Sequence, residues 1–230
     1  MEIHPYLTSD GIKNQLKLSD SELKELGILV GGMFFNESET IICGTFPPQK
    51  EYVQQKGYLH YSSNRNKFWG HIDSIFNAEL KFNLYTVEER ITNAKKKIEF
   101  ARKQKIGFID IFSKVSRSAE DAKDEHLTEP WETIFDNGIF ESAFINKSVR
   151  QVIFVYKMSK KTFYEKFHLK YPDTEIIPII KKNNVSPLIV DKITICKKEI
   201  YLIYSPIHGN ITDDRRRLSL KKALSGFPFR

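Results

Sequence analysis

The chain has 230 residues, 40% of them hydrophobic, which is enough for a sizeable core and suits one large α/β domain or two small ones. No apolar run reaches membrane-spanning length, and the opening MEIHPYLTSDG lacks the basic-then-apolar layout of a secretory leader, so the expectation is a soluble, cytoplasmic protein with no membrane partner. A formal charge of +7 favours a polyanionic partner such as nucleic acid, set against the plainer reading of a solvated, lysine-rich surface. The two cysteines, Cys43 and Cys196, lie in apolar, strand-like runs and read as buried free thiols in a reducing compartment. Two cysteines cannot ligate a [4Fe–4S] cluster alone, and no Cys/His spacing resembles a zinc site, so no metal or cofactor is expected.

In chain order, TIICGTF (40–46) is the first short, nearly continuous apolar run, as expected of a strand buried on both faces. It ends in GTFPP, where Gly44 allows close backbone approach and two prolines stiffen the turn. HYSSNRNKFWGHIDSIF (60–76) then crowds Tyr61, Asn64, Arg65, Asn66, Phe68 and Trp69 ahead of a helical pattern that sets Phe68, Ile72, Ile75 and Phe76 on one face. TVEERITNAKKKIEFARKQK (86–105) carries Val87, Ile91, Ala94, Ile98 and Ala101 in one stripe, with Lys95–Lys97 read as part of a solvated opposite face.

IGFIDIFS (106–113) predicts a second strand, in which Asp110 is costly unless paired. VRQVIFVY (149–156) and KEIYLIYSP (198–206) predict two more. Between them, SKKTFYEKFHLKY (159–171) reads as a helix capped by Ser159, and TEIIPII with DKITIC suggests a β-hairpin within 172–198. After the last strand, YSPIHGN turns into TDDRRRLSLKKAL (212–224), a helix with Thr212 at its cap and Arg215–Arg217 near its start. Strands alternating with helices predict a three-layer α/β/α domain on a central four-stranded parallel sheet, extended by the hairpin. Ligands bind such sheets at the carboxyl ends of the strands.

IICGTFPP, YLHYSSNRNKFWGHI, KIGFIDIFSKVSR and LIYSPIHGN, in that order, resemble the uracil-DNA glycosylase superfamily, and within it the hypoxanthine/uracil branch. The resemblance spans about residues 38–224 of a single domain, and RNKFW is its most specific piece. It implies a monofunctional DNA N-glycosylase that hydrolyses the glycosidic bond of a deaminated or modified base, uracil or hypoxanthine, in single- or double-stranded DNA, acting as a monomer. Such an enzyme flips the nucleotide out, holds the base and stabilises an oxocarbenium-like sugar.

By the same resemblance, Gly44, Thr45, Phe46, Tyr61 and Asp110 bind the base, and Asn66 and His208 are catalytic. Arg65, Ser205, Asn210, Arg215 and Arg216 meet the DNA, with Arg65 also a candidate partner for a structural carboxylate. In some branches the position of Phe46 holds an acid or amide that positions the attacking water; phenylalanine cannot, so the amide of Asn66 inherits that role. Ionised Asp110 can only accept a hydrogen bond, from a base edge or from the protein itself. The competing expectation is a non-catalytic nucleic-acid-binding module with a glycosylase-like fold, and a third is an N-glycosidase or nucleotide-processing enzyme with another substrate.

Overall fold

A computed structural model of the chain describes residues 1–29, 31–47, 57, 59–61, 67–80, 86–118, 126–145, 148–180, 188–207 and 211–225. In chain order the elements are β1 (Glu2–Ile3), α1 (Ser9–Leu16), α2 (Asp20–Leu26), β2 (Thr40–Gly44), α3 (Phe68–Phe76), α4 (Val87–Lys103), β3 (Ile106–Asp110), β4 (Phe112–Arg117) and β5 (Leu127–Thr133). A π-helical turn at Glu141–Ile145 follows, then β6 (Gln151–Phe154), α5 (Lys157–Lys170), β7 (Ile177–Ile180), β8 (Ile189–Ile195), β9 (Lys198–Tyr204) and α6 (Asp213–Leu224).

The main sheet has six strands in the order β3-β2-β6-β9-β8-β7, and it is mixed, which corrects the expected four-stranded parallel sheet. The neighbours β3, β2, β6 and β9 run parallel. The stretch 172–198 adds β7 and β8, which continue the sheet in antiparallel fashion beyond β9. Every residue of β2, β3 and β6 is buried, as their nearly continuous apolar runs lead one to expect. The β8–β9 turn places Cys196 and Lys197 in the left-handed region (φ 50° and 63°), the twist that a two-residue hairpin turn needs. That position exposes Cys196, so only Cys43 is the buried thiol expected.

The strand predicted over 106–113 divides at Ile111. Its second half, β4, leaves the main sheet and joins a three-stranded antiparallel sheet ordered β1-β4-β5. The seam is hydrogen-bonded: the Ile111 N–H donates to the Gly44 carbonyl at 3.0 Å, the Phe112 N–H to that of Thr45 at 3.2 Å, and the Ile134 N–H to that of Ile111 at 3.0 Å.

Local chemistry explains the helix starts. Ser19 with Glu22, and Thr86 with Glu89, form reciprocal capping boxes on α2 and α4. Helix α5 begins two residues before the expected serine cap. Ser159 lies inside it, where its hydroxyl donates to the Tyr156 carbonyl at 2.9 Å and reaches that of Cys43 at 3.3 Å.

Lys97 departs from the expected solvated face. It lies three residues from Ala94 and four from Ala101, on the buried side of α4, is 2% exposed, and holds its ammonium 4.9 Å above the Trp69 ring. Burial brings its pKa down to about 7. Trp69 is itself in the core, 1% exposed, with its indole N–H donating to the His60 carbonyl at 2.7 Å. Among the described residues no helix is long and apolar enough to cross a membrane.

Candidate functional site

Strands β2 and β3 pair in register so that Gly44 lies beside Asp110 at their shared carboxyl ends. Tyr61 arrives from the chain ahead of α3 with φ 61°, an uncommon backbone for an aromatic residue, and its ring lies 4.7 Å from that of Phe68 and 6.0 Å from that of Phe108. The three residues converge on one point. A methyl group built on Gly44 would meet Asp110 Oδ1 at 2.1 Å and Tyr61 Oη at 2.5 Å. Glycine is required here by the closeness of those two oxygens.

Two residues that the sequence reading left out complete the cluster. The His4 Nε2–H donates to Asp110 Oδ2 at 3.0 Å, across 106 residues of sequence, and His60 Nε2 lies 3.9 Å from the same oxygen. His4, His60 and Asp110 are 5%, 1% and 6% exposed. The two imidazoles stack at 5.4 Å, and His60 also lies against Tyr6 at 5.0 Å. Neither ring nitrogen of His60 has a hydrogen-bond partner among the described residues. Burial holds the His60 pKa down at about 4, against a smaller upward pull from Asp110, so its ring is neutral at pH 7. Burial, reinforced by Asp110, likewise pushes the Cys43 thiol up, which keeps it an unreactive hydrophobe.

His4, His60 and Asp110 have the spacing of a metal site, their candidate ligand atoms all lying within 4.8 Å of one another. The hydrogen-bond polarity disagrees. The Tyr6 backbone N–H donates to His4 Nδ1 at 3.1 Å, so the neutral ring carries its proton on Nε2, the atom that would have to offer a lone pair to a metal. A ligating histidine normally donates from its second nitrogen; this one accepts there. The cluster is a proton-bearing network around one carboxylate.

The other expected site residues divide clearly. Thr45 and Phe46 are buried beside the cluster. The Phe46 ring meets the edge of His4 at 5.5 Å and lies 5.5 Å below the Arg117 guanidinium, so it is already sandwiched by protein groups. Ser205 is fully buried and its hydroxyl is hydrogen-bonded to that of Ser219 at 3.0 Å. This corrects its expected contact with DNA: the residue ties β9 to α6. Arg215 is exposed, whereas Arg216 is half-buried and ion-paired with Asp213 at 2.9 Å. Arg217 pairs in the same way with Asp214 at 2.7 Å, so acids in the first turn of α6 offset part of its basic run. Asn66, Arg65, His208 and Asn210 lie outside the described residues.

The signal for the missed histidines is thin. His60 stands next to Tyr61 in the motif itself, and His4 precedes a proline, but a pairing across 106 residues leaves no local trace in one sequence. No protein-family model matches this chain, and no curated protein matches it.

Proposed function

We propose that the chain is a monofunctional DNA N-glycosylase that removes a deaminated or modified base, with uracil and hypoxanthine the first candidates. The observation that carries the reading is the convergence of Gly44, Asp110 and Tyr61 at the carboxyl ends of adjacent parallel strands, where sheets of this kind bind ligands. On this reading β3, β2, β6 and β9 are the four-stranded parallel core of a three-layer α/β/α fold, with β7 and β8 an addition to it. Asp110 Oδ1 bonds to none of the described residues and serves as an acceptor for a ring N–H of the flipped base. Tyr61 Oη stands beside it, and the missing side chain at Gly44 lets both oxygens come this close to the end of β2. Asn66 orients the water that attacks the sugar cation, and His208 steadies the departing base. The net charge of +7 draws the chain to DNA, where it acts as a monomer in the cytoplasm.

A second reading has one specific observation in its favour. The turn after β2 presents Phe46, buried between His4 and Arg117, where a water-positioning acid or amide would be needed. That favours a module that binds nucleic acid without cleaving it. A panel of oligonucleotides bearing uracil, hypoxanthine, xanthine and modified pyrimidines, scored for abasic sites, separates the two. The glycosylase reading expects product from at least one substrate and its loss in Asn66→Ala. Salt-sensitive binding with no abasic product from any substrate would establish the module instead.

A further inference from the structure

We propose that His4 is a positioning residue for Asp110, carried to the strand ends by the segment that runs along β4, and that it fixes Oδ1 as the acceptor the site presents. The inference rests on the glycosylase reading of that site. The segment is placed by several independent contacts. Glu2 and Ile3 pair with Val115 and Lys114, and the His4 N–H donates to the Ser113 carbonyl at 2.8 Å. The Glu2 carboxylate is ion-paired with Arg117 at 2.9 Å, and the same guanidinium donates to the Pro47 carbonyl at 2.6 Å. One arginine thus joins the segment to the turn after β2.

The ring of His4 is fixed in orientation and in tautomer. His60 stacks on it, and Phe46 meets its edge. The Tyr6 N–H occupies Nδ1, which leaves the single ring proton on Nε2, pointed at Asp110 Oδ2. A donor at Oδ2 sets the rotation of the carboxylate about its Cβ–Cγ bond. The other oxygen then lies where Gly44 and Tyr61 converge. His4 does not itself reach that point; it acts through Asp110.

The test compares the complete 230-residue chain with His4→Phe, which keeps a flat ring but no donor, and His4→Gln, whose amide donates from near the Nε2 position. Two readouts are taken: steady-state kcat and KM for base release from whichever oligonucleotide of the panel the wild type cleaves, and heteronuclear NMR of the histidine ring nitrogens. His4→Phe is expected to lower kcat by about tenfold or more with KM changed by less than about twofold, the size of a lost hydrogen bond to a charged group. His4→Gln is expected to recover most of that loss, which a purely structural role for the ring would not allow. An unchanged kcat in His4→Phe, or a His4→Gln no better than His4→Phe, overturns the role.

The NMR readout stands apart from activity. The His4 proton is expected on Nε2, with a resonance that moves in Asp110→Ala. A proton on Nδ1, or a resonance indifferent to Asp110→Ala, overturns the geometry whether or not any base is released. A wild-type chain with the expected resonance that cleaves nothing in the panel sinks the glycosylase reading, and the catalytic role of His4 falls with it, while the His4–Asp110 pairing is upheld.

Discussion

Two buried aspartates on the same sheet are treated in opposite ways. Asp191, on β8, gives one oxygen to both the Tyr164 hydroxyl at 2.5 Å and the Lys160 ammonium at 3.2 Å, and that ammonium also lies 4.9 Å above the Tyr164 ring. Asp110, at the end of β3, has one neutral donor in His4, an unbonded imidazole 3.9 Å away, and a second oxygen that bonds to none of the described residues. A carboxylate that serves only the fold is matched by a cation, because leaving it unmatched costs several kcal/mol. Asp110 has no lysine or arginine ion-paired with it among the described residues, and its second oxygen packs, with Tyr61 Oη, against the bare backbone of Gly44.

Replacing each aspartate by asparagine breaks the comparison most severely. Asp191→Asn strands Lys160 and is expected to cost about 3 kcal/mol in urea unfolding. Asp110→Asn keeps an oxygen for the His4 N–H and is expected to cost on the order of 1 kcal/mol. Equal losses would erase the distinction.

A smaller effect comes from His60. Above pH 6.5 the ring is neutral in both the folded and unfolded chain and adds nothing to the pH dependence. As the pH falls toward about 4, the unfolded chain takes up a proton that the folded one refuses, so stability is lost through that window. At about 1.4 kcal/mol for each pH unit the full loss is about 3 kcal/mol, of which roughly half is expected by pH 5.5. Urea unfolding of the wild type and His60→Phe at pH 7 and pH 5.5 isolates the term, since the variant lacks it.

An effect of opposite sign, a gain, is expected at Lys97. Its pKa is about 7 when folded against an ordinary 10.5, so the unfolded chain binds the extra proton between those values and stability falls as the pH drops from 10.5 toward 7. Lys97→Met keeps the apolar stem and is expected to gain on the order of 2 kcal/mol at pH 7, shrinking by pH 9.5. A gain that does not shrink would show that packing alone is responsible.

Much of the frame was legible because strand burial writes itself into local sequence. TIICG, IGFID and QVIF are nearly continuous apolar runs, each with one polar residue at an end, and each is a strand buried on both faces. Gly44 and Asp110 stood out on chemistry, one for its missing side chain and the other for its charge in an apolar strand. Periodicity could not show that the chain changes sheets at Ile111, because both halves of IGFIDIFS are apolar and the break is made by bonds to Gly44, Thr45 and Ile134. Nor could it separate Lys97 from Lys95 and Lys96, since three consecutive lysines point in three directions round a helix and only one of them meets Trp69. His4 was illegible because its meaning depends on the distant Asp110.

The seam at Ile111 has a consequence for how the molecule opens. The carbonyls of Gly44, at the end of β2, and of Thr45 after it accept from the amides of Ile111 and Phe112, where the chain enters the second sheet, and β1 hangs from β4 in turn. The small sheet therefore cannot detach without stripping these carbonyls of their donors. The two are expected to behave as a single cooperative unit in hydrogen exchange, with the amides of Ile111, Phe112 and His4 released together in the slowest class rather than fraying one after another.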